Sequence, residues 1–369
     1  MKTKYSIVKQ SIKSKILDGT YKPNQKIKSE SELMEIFGVS RHTVRLAIGD
    51  LVTEGWLYRE QGSGTFCADR EKNGSQISHA RNKEIAIIAT YISDYIFPSI
   101  IRGAEEYLSK NGYQVSIFST NNDHENEKRV LEKILTQNFD GVIIEPTKSA
   151  ISNPNINYYL NLENQKIPYI MINAYYDELE PLSVTMNDEK GSYLLTEHLI
   201  NLGHNNIVGF FKTDDNQGSK RMKGYLKAHR DLGKSINPAN IVTYRSDEKN
   251  KKPVEEFSRI LSSTSERPTG IVCYNDELAV KLLDVIREQK LTVPEDISIV
   301  GFDNSFLAEV TEVKLTTIEH PKSEMGKVAA KLILDLINEK KGLNKEKDKA
   351  QSVVYEPEVI IRSSTRKIN

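Results

Sequence analysis

Two cysteines in 369 residues, Cys67 and Cys273, cannot build a disulfide framework. Their separation and strand-like surroundings argue for reduced, packed thiols rather than a bridge, a metal pair or a catalytic pair. No apolar run approaches the roughly 20 residues that a membrane helix needs, so no membrane partner is expected. The opening MKTKYSIVKQSIKSK has no apolar h-region; no secretory signal is expected, and a cytoplasmic location is. The histidines are scattered with no zinc-site spacing, so neither a metal nor a cofactor is expected. Net charge is missing too: 51 Lys and Arg face 51 Asp and Glu. That balance hides an asymmetry, because residues 1–70 carry 12 basic and 8 acidic side chains and the remainder 39 and 43. A small basic unit on a mildly acidic body suggests that only the first part meets a polyanion. The length predicts two or three domains.

What is present begins with residues 28–51, KSESELMEIFGVSRHTVRLAIGDL. Ser29 and Glu32 stand at capping-box spacing, and Leu33, Ile36 and Phe37 give the helix that follows an apolar face. Gly38 breaks it, Val39 fills the turn and Ser40 is placed to cap a second helix. Val44, Ala47, Ile48, Leu51 and Val52 form that helix's buried stripe, leaving His42 and Arg45 on the other side and Arg41 in the first turn. Arg41, His42, Thr43 and Arg45 at a helix N-terminus suit a major groove, where Arg grips guanine O6 and N7 through two hydrogen bonds. An ordinary helical hairpin with two exposed arginines fits the same spacing.

Around this pair the pattern predicts a helix over Tyr5–Asp18, a short strand at Lys26–Lys28, and two strands, Trp56–Glu60 and Thr65–Ala68, joined by Gln61-Gly-Ser-Gly64. Three helices and a hairpin make a winged helix-turn-helix over residues 1–69, with the helix-turn-helix at 29–51 and the wing at 56–68. Gly62 at the wing tip can approach a sugar-phosphate backbone, although a plain hairpin turn uses glycine equally well. This part resembles the GntR family of bacterial transcription regulators in Lys26-Ile-Lys-Ser-Glu30, Phe37-Gly-Val-Ser-Arg41, Thr43-Val-Arg45, Gly55 and Gly62-Ser-Gly64-Thr-Phe66. The resemblance implies that Glu30, Arg41, His42, Thr43, Arg45 and Gln61 touch double-stranded DNA, with Lys4 and Tyr5 at its backbone.

Residues 70–83 are polar with Gly and Ser, and are expected to be a hinge. From Glu84 onward short apolar runs alternate with amphipathic stretches: strands at Ile85–Ile88, Val115–Phe118, Gly141–Ile144, Ile167–Ile172, Ile207–Phe211, Ile241–Tyr244, Gly270–Tyr274 and Ile297–Phe302, with helices between. Apolar strands in β–α alternation indicate parallel, doubly wound sheets, here an α/β body of two Rossmann-like lobes around a cleft. Ligands of such sheets bind beyond the carboxyl ends of the strands. Those ends present Tyr91, Ser93, Asp94, Tyr95, Glu145, Asn173, Lys212, Asn275, Asp276 and Asp303, and Arg221 lies near a helix start. Planar polar groups with aromatic faces, Phe97 among them, suit a hydroxyl-rich ligand such as a sugar. Asn275, Asp276 and Asp303 serve equally well as caps and turn formers.

The body resembles the effector domain of the lac repressor family, itself similar to periplasmic sugar-binding proteins, in Phe97-Pro-Ser-Ile-Ile-Arg-Gly103, Asn187-Asp-Glu-Lys-Gly191, Arg221-Met-Lys-Gly-Tyr225, Tyr274-Asn-Asp276, Val300-Gly-Phe-Asp303 and Leu315-Thr-Thr-Ile318. The resemblance implies an effector-binding and dimerising domain over 84–369: one lobe at about 84–185 and 320–340, the other at about 186–318 and 351–365. It also implies effector contacts at Asn173, Arg221, Asn275, Asp303 and His320. The helix at Lys322–Asn338 would return to the first lobe, the strand at Val353–Ile361 to the second, and residues 340–349 would form a solvated loop.

A GntR-type head on a lac-repressor-type body is a rare pairing. It resembles that of the arabinose-utilisation repressors of Gram-positive bacteria, which implies L-arabinose or a similar pentose as effector. The expected function is that of a homodimeric repressor on pseudo-palindromic operators, released by sugar. Two other functional classes fit the sequence less well. A sugar-transport component has no use for the head, and an aminotransferase-like enzyme would need a Schiff-base lysine and a phosphate cradle that the chain does not display.

Overall fold

The computed structural model of the chain describes residues 3–69, 83–93, 95–263, 267–340 and 350–368. The expected hinge lies outside them except for Lys83, as do Asp94 and, except for Lys340, the expected loop at 340–349.

Local capping chemistry sets the head. Helix α1 (Lys4–Leu17) starts at Thr3, whose hydroxyl accepts the Ser6 N–H. Helix α2 (Glu30–Phe37) starts on a complete capping box: Ser29 Oγ accepts the Glu32 N–H at 3.3 Å, and the Glu32 carboxylate accepts the Ser29 N–H at 2.7 Å. Gly38 ends α2 at φ 58°, a conformation that a Cβ would oppose. Ser40 caps α3 (Arg41–Thr53), which buries Val44, Ala47, Ile48 and Leu51 in one cluster with Val8 and Ile12 of α1 and Leu33 of α2. Strands β1 (Leu57–Glu60) and β2 (Gly64–Cys67) pair antiparallel as the wing. The strand expected at Lys26–Lys28 is only an isolated bridge from Lys26 to Phe66.

The body follows as β3 (Glu84–Ala89), α4 (Phe97–Lys110), β4 (Gln114–Ser119), α5 (His124–Thr136), β5 (Gly141–Ile144), α6 (Ile156–Asn164), β6 (Tyr169–Ile172) and β7 (Ser183–Met186). It continues as α7 (Asp188–Asn201), β8 (Ile207–Lys212), α8 (Asn216–Asp231), β9 (Ile241–Tyr244), α9 (Lys252–Ser263), β10 (Gly270–Val272), α10 (Asp276–Glu288) and β11 (Ser298–Val300). Helix α11 (Phe306–Val310), β12 (Thr317–Ile318), α12 (Lys322–Lys340), β13 (Val353–Tyr355) and β14 (Val359–Ile360) end it. One sheet has the parallel order β4-β3-β5-β6-β7-β13, the other the parallel order β9-β8-β10-β11, and β12 pairs antiparallel with β14. Strand order reverses beside β3 in the first lobe and beside β8 in the second, which makes both switch points open toward a shared cleft.

Several elements escape the sequence pattern, among them β7, α9 and the short α11 and β12. Strand β7 is buried along its whole length, yet Ser183 and Thr185 break its apolar run. Helix α9 has a short stripe of Val254, Phe257, Ile260 and Leu261, and Phe257 packs edge-on against Phe210 at 5.8 Å. The strand expected at Val353–Ile361 is corrected: it splits in two. Residues 353–355 close the edge of the first lobe's sheet against β7, and only β14 reaches the second lobe. Pro357, which has no N–H to give a ladder, stands in the break. The chain thus crosses between lobes three times: at Asn187, at His320-Pro321, and at Glu356-Pro357-Glu358. No disulfide joins Cys67 and Cys273, and both are buried. No helix among the described residues is long and apolar enough to cross a membrane.

Helix α12 returns to the first lobe and lies along α4 so closely that a Cβ on Gly326 would fall on the Ile100 carbonyl oxygen and one on Gly103 on that of Ser323. Backbone can yield little there. Gly326→Ala is expected to lower the stability of the body by about 1–3 kcal/mol. Urea unfolding of the full chain measures this; an unchanged midpoint would mean that the two helices do not approach this closely.

Candidate functional site

Two faces carry the expected chemistry. On the head, Arg41 and His42 stand exposed in the first turn of α3 and Arg45 one turn further on. Arg45 Nε lies 2.9 Å from Glu30 Oε2. Glu30, expected on DNA, therefore aims the guanidinium in the free head, and the two would exchange partners on a duplex. Thr43 is half-buried, and its hydroxyl lies 2.9 Å from Ser40 Oγ, inside the helix cap. Lys4 is exposed at the start of α1. Tyr5 bonds through its hydroxyl to the Asp50 carboxylate, which ties α1 to α3. Lys9 lies 3.1 Å from Asp50 and 2.6 Å from Glu54, neutralising acids that would otherwise repel a phosphate backbone. Gln61 and Gly62 are exposed at the wing tip. The Lys26 side chain packs across Gly64 beside that tip, and Arg59 is exposed on β1. Sequence spacing did not single out either cation; Lys26 reaches the wing only through the fold, whereas Arg59 precedes Gln61 by two residues.

The second face is the cleft between the lobes. Tyr91, Tyr95, Phe97, Glu145, Asn173, Lys212, Arg221, Asn275 and Asp303 all line it, together with Thr90, Lys148, Ser149, Asp215, Gln217, Lys249, Tyr274 and Glu277. The walls come from the carboxyl ends of parallel strands, the loops after them and the first turns of the helices that follow, as the strand-end rule requires. Ser93 is exposed outside the lining, and Asp94 lies beyond the described residues. His320 lies outside the lining, 1% exposed, and neither ring nitrogen is hydrogen-bonded among the described residues.

Arg221, 2% exposed, organises the second lobe's wall. Its Nε donates to Asp188 Oδ1 at 2.9 Å, Nη1 to the Tyr274 carbonyl at 2.6 Å and Nη2 to Asp303 Oδ1 at 3.3 Å. The guanidinium carbon lies 3.6 Å from the Phe302 ring centre and 4.8 Å from that of Tyr274. Burial opposes its charge, but Asp303 and Asp188 prevail and hold its pKa above the usual range. Burial pushes the Asp188 carboxyl upward, against the pull of Arg221. Asp276, the first residue of α10 after its Asn275 cap, is driven up to about 7 by burial and by Asp303, despite hydrogen bonds from Ser305 and Thr317.

Across the cleft, Glu145 accepts the Thr90 N–H at 2.8 Å and Asn173 Nδ2 at 3.1 Å, and burial raises its pKa. Asn173 Oδ1 is buried with no partner among the described residues, an acceptor that wants a donor. The lobes already touch. Tyr95 donates its hydroxyl proton to the Phe302 carbonyl at 2.9 Å and accepts the Asp276 N–H at 3.1 Å. Asn216 N–H donates to Ser149 Oγ at 2.9 Å and its Nδ2 to the Tyr175 carbonyl at 3.1 Å. This is a closed conformation.

Fold and faces together define a class: a DNA-binding regulator whose winged head is joined to a two-lobed, ligand-binding body. Residues 4–67 match the family model of bacterial regulatory proteins, gntR family, and residues 196–365 that of the periplasmic binding protein-like domain. The chain is 62% identical to the arabinose metabolism transcriptional repressor of Halalkalibacterium halodurans, over 99% of this chain and 97% of that one. It is 51% identical to the repressor of the same name in Geobacillus stearothermophilus, over 99% and 98%. The chain belongs to this family of arabinose metabolism transcriptional repressors, which is regulatory and not enzymatic. Its body also superposes on a LacI family transcriptional regulator from Enterococcus faecium solved with bound ribose, at TM-score 0.65 and 25% identity, over 78% of this chain and 100% of that one.

His320 gives the cleft region a pH signature. Burial lowers its pKa to about 4, from an ordinary 6.5, against the attraction of Asp303. A histidine held neutral when folded contributes stability that is fully present above pH 6.5 and is lost as pH falls from 6.5 toward 4. His320→Asn is expected to flatten this part of the profile by about 2 kcal/mol. Urea unfolding of both proteins between pH 7 and pH 4.5 reads the difference, and parallel profiles would show that His320 does not titrate in this way.

Proposed function

We propose that this chain represses sugar-utilisation genes from the cytoplasm as a homodimer, and that L-arabinose in the interlobe cleft releases it from its operator. The cleft wall carries the effector part of this reading. Four basic side chains, Lys148, Lys212, Lys249 and Arg221, face four acidic ones, Glu145, Asp215, Glu277 and Asp303. Lys212 lies 3.4 Å from Asp215, Lys249 lies 3.5 Å from Glu277, and Arg221 is held by two carboxylates. Three of the four cations are thus committed to carboxylates, whereas a phosphate or carboxylate ligand would need a set of cations free of such partners. A neutral polyol instead needs planar donors and acceptors at several angles with an aromatic face nearby, and this wall supplies them through Asn173, Glu145, Asp303, Tyr91 and Tyr274. The assignment to L-arabinose follows the names of the two relatives.

The head supports the DNA part. Arg41 and Arg45 on the exposed side of α3 suit base edges of a half-site, while the wing tip and Lys26 suit the flanking backbone. Two heads on a dimeric body would read a pseudo-palindrome with a fixed centre-to-centre distance. Sugar favours closure through its greater affinity for the closed lobes; closure resets the heads, and operator affinity falls.

Operator retention by the full chain, with and without L-arabinose, D-xylose and D-ribose, tests the reading. Release by L-arabinose at the lowest concentration is expected, and undiminished operator binding at saturating L-arabinose would refute it. Arg221→Lys keeps the charge but not the planar fork, so sugar affinity should fall about tenfold or more while sugar-free operator binding persists. Arg41→Ala should weaken operator binding by about 1–3 kcal/mol and nonspecific binding by less. Equal losses on the two DNAs would assign Arg41 to the backbone.

A further inference from the structure

The body has a contact with its own head. The last turn of α1 lies on α6 of the first lobe. Ser14 Oγ donates to the Tyr158 hydroxyl at 2.8 Å, and that hydroxyl donates to Glu132 of α5 at 3.0 Å. Asn161 Nδ2 donates to the Leu17 carbonyl, one of the acceptors that a helix end leaves without a partner. Leu17 and Tyr158 are each 3% exposed, and the head's core is continuous with the layer of Leu131, Tyr158 and Leu162.

The platform is wired to the cleft. The wall segment from Glu145 to Ser149 runs on through Asn153 and Asn155 into α6. Glu127, fully buried on α5, accepts hydrogen bonds from Asn153 Nδ2 at 3.0 Å, Asn155 Nδ2 at 2.8 Å and the hydroxyls of Tyr159 and Tyr176 at 2.8 Å each. The Tyr176 hydroxyl also lies 2.8 Å from the Thr147 carbonyl, inside the wall segment. Four donors converging on one buried carboxylate leave little room for the wall to move without α6.

We propose that α6 is a docking platform for the head of the same chain, and that the sugar-closed body captures the head there. The platform holds α1 by its C-terminal end, so Arg41, His42, Arg45 and Gln61 stay exposed. Docking therefore acts by fixing where the head points, not by covering its DNA face. Two heads fixed on two closed bodies can no longer adjust to the spacing of two half-sites. The contact accompanies the closed lobes seen here, with Tyr95 bridging the cleft. This deepens the sugar-release reading above and rests on it.

The test uses the full chain and two variants, Asn161→Ala and the double variant Tyr158→Phe/Asn161→Ala, with L-arabinose as probe. Calorimetry should give sugar affinities within twofold of the unaltered protein, and sugar-free operator affinity should also stay within twofold. The sugar-induced loss of operator affinity should shrink at least fivefold in the double variant. Hydrogen exchange should show sugar-dependent protection at residues 4–17 and 156–164 of the unaltered chain, and its loss in the double variant. Full release of the double variant by sugar would overturn the proposal. An unaltered protein that binds no sugar would overturn the preceding reading instead. In that case protection at residues 4–17 that the double variant lacks would still support docking, and equal exchange in both proteins would refute it.

Discussion

The interaction on which the site depends is the burial of Arg221 between two carboxylates and two aromatic faces. Four pieces of chain must be in place for it: α8 for the arginine, the first residue of α7 for Asp188, the loop after β10 for the Tyr274 carbonyl and the loop after β11 for Asp303. A buried ion pair adds little net stability compared with apolar residues of the same volume, but removing one partner costs about 3–5 kcal/mol because a charge is left unpaired. The cluster thus acts as a register device. It fixes the strand ends of the second lobe relative to one another before any ligand arrives, so that binding spends little on ordering that wall.

Backbone strain accompanies this order. Tyr95, Asn173 and Asp303 hold φ values of 58°, 65° and 93°, in the left-handed region that residues with a Cβ avoid. Such conformations cost about 1–3 kcal/mol each and persist where surrounding bonds over-determine them. Here those bonds are visible. Tyr95 is held by the Phe302 carbonyl and the Asp276 N–H, Asn173 by Glu145, and Asp303 by Arg221. All three are residues that the strand-end rule singles out. The turns that aim polar groups into the cleft are strained because a regular turn would aim them elsewhere.

The sequence is legible where local and global signals agree. In the head, the capping box at Ser29 and Glu32, the stop at Gly38 and the stripe from Val44 to Leu51 point to one structure, and each has its own physical reason. In the body, strand-end position alone finds Glu145, Asn173, Lys212, Asn275 and Asp303. What escapes depends on direction and partnership. Asp188 follows a strand that Ser183 and Thr185 conceal, so its burial against Arg221 has no pattern in the sequence. Lys249 and Glu277 meet only across the folded cleft edge. His320 lies near enough to the cleft to feel Asp303 but outside its lining, a difference of side-chain direction. Glu30 and Tyr5 also bond within the head, to Arg45 and Asp50, partnerships that no local spacing reveals.

The two lobes are unequally prepared for a ligand, and that inequality sets how the signal can travel. The second lobe's wall is frozen around Arg221, whereas the first lobe's wall is bonded through Glu127 to a surface helix. Hydrogen bonds that join the lobes directly include those between Tyr95 and Phe302 and Asp276, from Asn216 to Ser149 and Tyr175, and from Lys322 Nζ to the Asp303 and Asn304 carbonyls. At about 1 kcal/mol net each, they contribute several kcal/mol to the difference between open and closed states. Moving such a pair from 1:99 to 99:1 needs about 5.5 kcal/mol of differential binding. A small polyol that bonds both walls can supply that through a handful of hydroxyls, one of them meeting the unpaired Asn173 Oδ1. The head is packed against the first lobe, the lobe whose cleft wall is tied through Glu127 to α6.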